Sequence, residues 1–147
     1  MSMNHKDIAN RMKEWLESIE WAVNTNEDNS RLYLSLKSAQ TDLSANIQIR
    51  IFDDGWYRVI AIWPDDIDSN FEEIEEYVSQ ESLDNYDYGR LKFSRDSHCI
   101  FYVSDTYIND ISELTDDILD KTITGAALYI AEYYGPDIVK LVGTKDN

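Results

Sequence analysis

The stretch NIQIRIFDDGWYRVIAIW, residues 46–63, decides how this chain folds. Ile47, Ile49 and Ile51 alternate with Gln48 and Arg50, the period of a half-buried strand. DDG, Asp53 to Gly55, is a turn signature, and WYRVIAIW returns as an antiparallel partner. Two registers are open. A two-residue loop of Asp54 and Gly55 places the isoleucines on one face with Arg58, Ile60 and Ile62. A three-residue loop of Asp53 to Gly55, with Gly55 in the left-handed region, places them with Tyr57, Val59, Ala61 and Trp63. The second is preferred because it seats no arginine among isoleucines. Either way the returning strand is apolar on both faces, which predicts a central place in the sheet.

Upstream, Leu32, Leu34 and Leu36 alternate with Tyr33, Ser35 and Lys37, so a three-stranded meander is expected over 31–63. The polar NTNEDNS, Asn24 to Ser30, reads as a turn. Before it, Ile8, Met12, Trp15, Leu16 and Ile19 recur at helical spacing and predict an amphipathic N-terminal helix over 5–21. Downstream, Pro64 ends the meander. Ser69 and Glu72 have capping-box spacing and open a helix over 69–80 with Phe71, Ile74 and Val78 on one side. RLKFS and SHCIFYVS, joined by RDS, predict a hairpin over 90–104. Asp110 and Glu113 then open a C-terminal helix over 110–142, interrupted by Gly135 and Pro136. No repeat or linker divides residues 1–147, which read as a single domain. The order helix, three strands, helix, two strands, helix predicts the α+β class: an antiparallel sheet with helices packed on it.

One cysteine, Cys99, excludes an internal disulfide, no leader pattern stands at the N-terminus, and the longest apolar runs are a handful of residues. A soluble cytoplasmic protein is the expectation, with no membrane partner. The formal net charge is −16; residues 1–60 carry seven basic and nine acidic side chains, residues 61–147 six and twenty. A field of this sign opposes nucleic acid and anionic membranes, and leaves another protein or peptide, basic in character, as the expected partner.

His98 and Cys99 are the adjacent residues most suggestive of catalysis. A thiolate needs its base within hydrogen-bond reach, yet successive strand residues face opposite ways. The expectation is therefore a buried strand cysteine, with Cys99, Phe101 and Val103 on one face and His98, Ile100 and Tyr102 on the other. Asp66, Asp68 and Asn70 imitate the first ligands of a calcium loop, but Phe71 stands where glycine is required and Tyr77 where the bidentate glutamate belongs. The five glycines are too far apart for a phosphate cradle. No catalytic residue, metal or cofactor is assigned.

Two features invite a binding role. From Asp65 to Asp87 stand ten acids and no Lys or Arg, with Glu72, Glu73 and Glu76 as candidate contacts for a basic partner. Tyr33, Phe52, Trp56, Tyr57 and Trp63, with Arg58 among them, exceed what one side of a meander can bury, so some must meet a helix, another subunit or a peptide.

The element order, GRLKF at Gly89 to Phe93, SHCIFYVS, and AEYYGPDIVKLVG resemble the YbjN family, described as bacterial sensory transduction regulators that share the fold of type III secretion chaperones. The matching residues are Gly89, Arg90, Leu91, Tyr133, Tyr134, Pro136 and Gly143. The resemblance implies a type III secretion chaperone-like fold and a small acidic cytoplasmic protein that dimerises and binds proteins without catalysis, and it supplies no catalytic or ligand residues. The leading expectation is a non-enzymatic protein-binding module, a regulator or chaperone-like adaptor. The alternatives are an acidic antidote to a basic toxin or nuclease, and an enzyme with an unrecognised carboxylate site.

Overall fold

The computed structural model describes residues 4–84 and 89–143. It is α+β: three helices and an open antiparallel sheet of six strands in the order β1-β2-β3-β4-β6-β5. The strands are β1 Asn24–Thr25, β2 Arg31–Lys37, β3 Ser44–Phe52, β4 Trp56–Ile62, β5 Arg90–Ser94 and β6 Cys99–Tyr107. Helix α1 spans His5–Ser18 and α2 spans Phe71–Asp84. The C-terminal helix is continuous from Asp116 to Gly143, as α3 Asp116–Leu119, a π segment Asp120–Thr124, α4 Gly125–Leu128, a π segment Tyr129–Tyr134, and α5 Gly135–Gly143. Among the described residues no helix is long and apolar enough to cross a membrane.

The β3–β4 turn takes the three-residue form. Phe52 pairs with Trp56 and Ile51 with Tyr57, and Gly55 has φ 86°. That conformation costs a residue with a Cβ more than it costs glycine. The register aligns Ile47, Ile49 and Ile51 with Ala61, Val59 and Tyr57, and all six are buried. Strand β4 is central, between β3 and β6.

All three helices pack on this face. Ile8, Met12, Trp15 and Leu16 of α1, Ile74 and Val78 of α2, and Leu119, Ile123, Ala127, Ile130, Tyr134 and Ile138 of the C-terminal helix join the strand residues in one core. Arg11 ties α1 to the last helix, donating from Nε to the Leu114 carbonyl (2.8 Å) and from Nη2 to Asp116 (2.7 Å).

Several boundaries differ from expectation. Helix α1 stops at Ser18, so Ile19 caps it and is exposed instead of extending the buried stripe, and Trp21 instead donates its ring N–H to the Ser35 carbonyl. The stretch read as a turn contributes the two-residue edge strand β1 against Leu32 and Tyr33. Helix α2 begins at Phe71, a residue later than a Ser69 cap would set. Asp110 and Glu113 do form a capping box, but it closes a 3-10 turn, Ile111–Glu113; Thr115 caps the helix itself.

Gly135 and Pro136 do not interrupt the last helix. Pro136 stands in the first turn of α5, where its missing N–H is tolerated, and the π segment before it leaves carbonyls for outside donors. Thr41 of the β2–β3 loop supplies one, donating its hydroxyl to the Ala131 carbonyl at 2.9 Å, and Ser38 donates to Glu132 beside it. Glycine at 135 admits that loop: a Cβ there would lie 2.8 Å from the Ile130 carbonyl and 2.9 Å from Leu43 Cδ1. At Gly125 a Cβ would meet only the Asp120 carbonyl, at 3.9 Å. Gly125→Ala is therefore expected to stabilise by ~0.5–1 kcal/mol, the usual helix gain. Gly135→Ala, given the same propensity gain, is expected to destabilise by ~1–2 kcal/mol net through overpacking. Thermal denaturation of the pair checks the opposite signs.

Candidate functional site

Strand alternation that buries one face leaves the other turned outward, and among the described residues no helix covers it. Antiparallel pairing arranges its side chains in rows across the strands. Nearest the β3–β4 turn, Phe52, Trp56 and Tyr107 are cross-strand neighbours, with Phe52 stacked on Trp56 (centroids 3.8 Å) and Trp56 on Tyr107 (5.4 Å). The next row is Arg31, Arg50, Arg58 and Asp105. Then come Tyr33, Gln48, Ile60, Val103 and Arg90, and beyond them Ser35, Asn46, Ile62, Phe101 and Lys92.

Ile60, Ile62, Phe101 and Val103 make a half-buried apolar centre on this face, flanked by a shallow depression of about 430 Å³ over Tyr33, Ser35, Asn46 and Gln48. Arg58 grips Asp105 with two hydrogen bonds, Nε to Oδ1 at 2.8 Å and Nη2 to Oδ2 at 3.1 Å, and Asp105 holds the guanidinium's pKa above its ordinary value.

Of the candidates named from sequence, this face gathers Tyr33, Phe52, Trp56 and Arg58. Tyr57 and Trp63 are corrected: both are buried in the core, 0% and 5% exposed, and meet the protein's own helices. The Tyr57 hydroxyl reaches Thr122 Oγ1 at 2.7 Å, and Thr122 in turn donates to the Ile118 carbonyl. Burial raises the Tyr57 pKa, so the phenol is a neutral donor here. Glu72, Glu73 and Glu76 lie apart, exposed on α2. Their neighbour Glu75 pairs with Arg95 (2.7 Å), which lowers its pKa. Arg31, Arg50, Ile60, Phe101, Val103, Asp105 and Tyr107 were not singled out from sequence. The available signal was their position opposite the buried residues in each strand; the meander pairs Arg31, Arg50 and Arg58, and bringing Phe101, Val103, Asp105 and Tyr107 beside them required the β4–β6 pairing.

No protein-family model matches this chain, and no curated protein does either.

The His98–Cys99 expectation needs two corrections. His98 precedes β6, in a turn with φ 54°, so strand alternation does not govern it; its Nδ1 hydrogen-bonds the Ile67 carbonyl at 2.9 Å, and its ring meets the Phe71 edge. Cys99 opens β6 on the uncovered face with Phe101 and Val103, and it is half-buried instead of buried. Burial, with Asp66 adding to it, raises the thiol pKa and disfavours the thiolate. The calcium-loop spacing also fails locally, because α2 already begins at Phe71. Among the described residues no three His, Cys, Asp or Glu side chains converge as metal ligands.

His5 lies at the opposite end of β4 from Cys99 and does structural work there. Its backbone N–H and Nδ1 both reach Asp53 Oδ1, at 2.9 and 2.7 Å, while Nε2 reaches the Asp28 carbonyl at 2.8 Å. Two acceptors suit an imidazolium with both ring nitrogens protonated. The hydrogen bond to Asp53, with the Asp28 carbonyl behind it, raises the His5 pKa above 6.5. The same contacts, led by the His5 backbone N–H, lower that of Asp53 below 3.8.

The signs follow by linkage. The His5 contribution is fully present below pH ~6.5 and is lost as pH rises through the folded pKa; that of Asp53 is present above ~3.8 and is lost as pH falls through its depressed pKa. The clamp is therefore strongest in mildly acidic solution. In urea denaturation, His5→Gln is expected to lower the midpoint relative to the unmodified chain clearly at about pH 5.5 and much less at about pH 8.5. Equal losses at both would show that the imidazolium form is not the stabilising one.

Proposed function

We propose that this protein is a non-enzymatic binding module, a regulator or chaperone-like adaptor that takes up a segment of another protein on its uncovered sheet face. The observation that carries this reading is the asymmetry of the sheet. One face is sealed by three helices, while the other sets Ile60, Ile62, Phe101 and Val103 at its centre beside Tyr33 and an aromatic stack. A half-buried apolar centre with a polar and aromatic surround has the anatomy of a protein interface. The YbjN-like features of the sequence and the chaperone-like architecture they imply support the same reading, as does a cytoplasmic setting, where a reduced lone cysteine is ordinary.

A second reading keeps the acidic face of α2 as the contact, in an antidote to a basic toxin. Its support is that Glu72, Glu73 and Glu76 all turn to solvent.

Affinity capture from the source organism separates the two. In the first reading, Ile60→Gln with Phe101→Gln weakens recovery of bound partners roughly tenfold, the effect of ~1.4 kcal/mol, while Glu72→Gln, Glu73→Gln and Glu76→Gln together leave it intact. The reverse pattern establishes the antidote reading. Capture that neither set of substitutions alters removes both.

A further inference from the structure

The register sets three arginines directly opposite one another: Arg31 against Arg50, and Arg50 against Arg58. Opposite residues in antiparallel strands lie only ~4.5–5.5 Å apart at Cα, and like charges so placed destabilise a sheet. One of the three is neutralised, Arg58 by Asp105. Arg31 and Arg50 form no ion pair among the described residues, although the chain carries 29 acids. The basic residues also gather here. Arg31, Lys37, Arg50, Arg58, Arg90 and Lys92 are the strand positions of this face that bear positive charge, and Asp105 is the acidic strand position; Lys37 pairs with Asp42 of the following loop at 3.0 Å. A chain of net charge −16 thus turns a basic face outward.

The row is also braced. Arg50 lies over the Phe52 ring (5.2 Å to the centroid) and Arg58 over Trp56 (5.6 Å). Stacking on an aromatic face restrains a guanidinium without using its N–H edges, which suits Arg50 to planar, bidentate recognition of a carboxylate, whereas Arg58 already spends its Nε–Nη2 edge on Asp105.

Nucleic acid would use an arginine and aromatic surface differently, by stacking bases on open ring faces. Here Phe52 and Trp56 stack on each other and carry the guanidiniums, so their faces are already engaged, and Tyr107, 70% exposed, is the one open ring of the stack. A short acidic segment needs only the local row.

We propose that the Arg31–Arg50–Arg58 row, backed by the Phe52–Trp56–Tyr107 stack, is the docking site for a carboxylate-rich segment of another protein. This rests on the binding-module reading and replaces the basic partner expected from net charge with an acidic one.

The test is fluorescence anisotropy with a labelled oligoglutamate of about ten residues, in about 0.15 M salt, where exposed charges more than ~8 Å apart are screened. A protein of this net charge has no general attraction for polyglutamate, so binding reports a local site. The expected result is saturable binding that weakens roughly tenfold in Arg31→Gln with Arg50→Gln, and is unchanged in Lys6→Gln with Lys140→Gln, two exposed lysines elsewhere. Oligoglutamine of equal length should not bind. The paired arginine substitution should leave the melting temperature at or above that of the unmodified chain, because it relieves repulsion. No binding of oligoglutamate, equal loss in both double variants, or a marked fall in melting temperature on removing the arginines would overturn the proposal. So would tighter, arginine-dependent binding of an oligothymidylate of equal length, or sedimentation as a dimer that those arginines control. Any of these would leave the binding-module reading standing if Ile60→Gln with Phe101→Gln still weakened partner capture roughly tenfold.

Discussion

The three-residue turn at Asp53 to Gly55 is the constraint on which the rest of the structure depends. Side chains on a strand alternate with a period of two, so a slip of one residue at this turn would exchange the faces of β4 relative to β3. Gly55 in the left-handed region sets the pairing, and Tyr57, Val59 and Ala61 consequently join Ile47, Ile49 and Ile51 beneath the helices. The same register necessarily brings Arg58 beside Arg50 on the outer face. Core and candidate interface are two products of one turn. His5 reinforces it from outside, holding Asp53 of the turn and the Asp28 carbonyl together at the start of α1.

A second constraint acts at the far end of the sheet. The C-terminal helix must cross the strands closely, pass the β2–β3 loop and accommodate Pro136. It does so with a π segment whose Ala131 carbonyl is satisfied by Thr41, and with glycine at the point where Leu43 and Trp63 approach. Residue types that ordinarily stop a helix here adapt it to a crowded crossing. Local propensity gave way to tertiary packing, which supplied the hydrogen-bond partner that the helix lacked.

Much of the fold was legible from residue patterns. The meander, the second hairpin, the three helical regions and the preferred turn register each rested on a strong local period: Leu32, Leu34 and Leu36, or Ile8, Met12 and Leu16. What failed were ends and short elements. Strand β1 has two residues and no period to detect, and Ile19 looked like the next member of a stripe that the helix end cut short. The candidate site was only half legible. Surplus aromatics pointed to Phe52, Trp56 and Tyr33, but composition alone could not separate them from Tyr57 and Trp63, which the helices bury.

The sequence by itself determined the class of architecture and which residues of a strand share a face, because alternation and helical spacing are properties of neighbouring residues. It also determined the overall sign of the charge. Only the tertiary structure decided where the charge lies. Arg31 stands 19 residues before Arg50, and Arg50 eight before Arg58, and each reads in the sequence as an ordinary solvent-facing strand residue. Hydrogen bonding between strands brings them into one row, and packing of all three helices on the other face leaves that row open. Net charge is a sum that takes no account of position, whereas a partner meets the few groups that share a surface. That is why the acidic composition pointed to a basic partner and the folded sheet points to an acidic one.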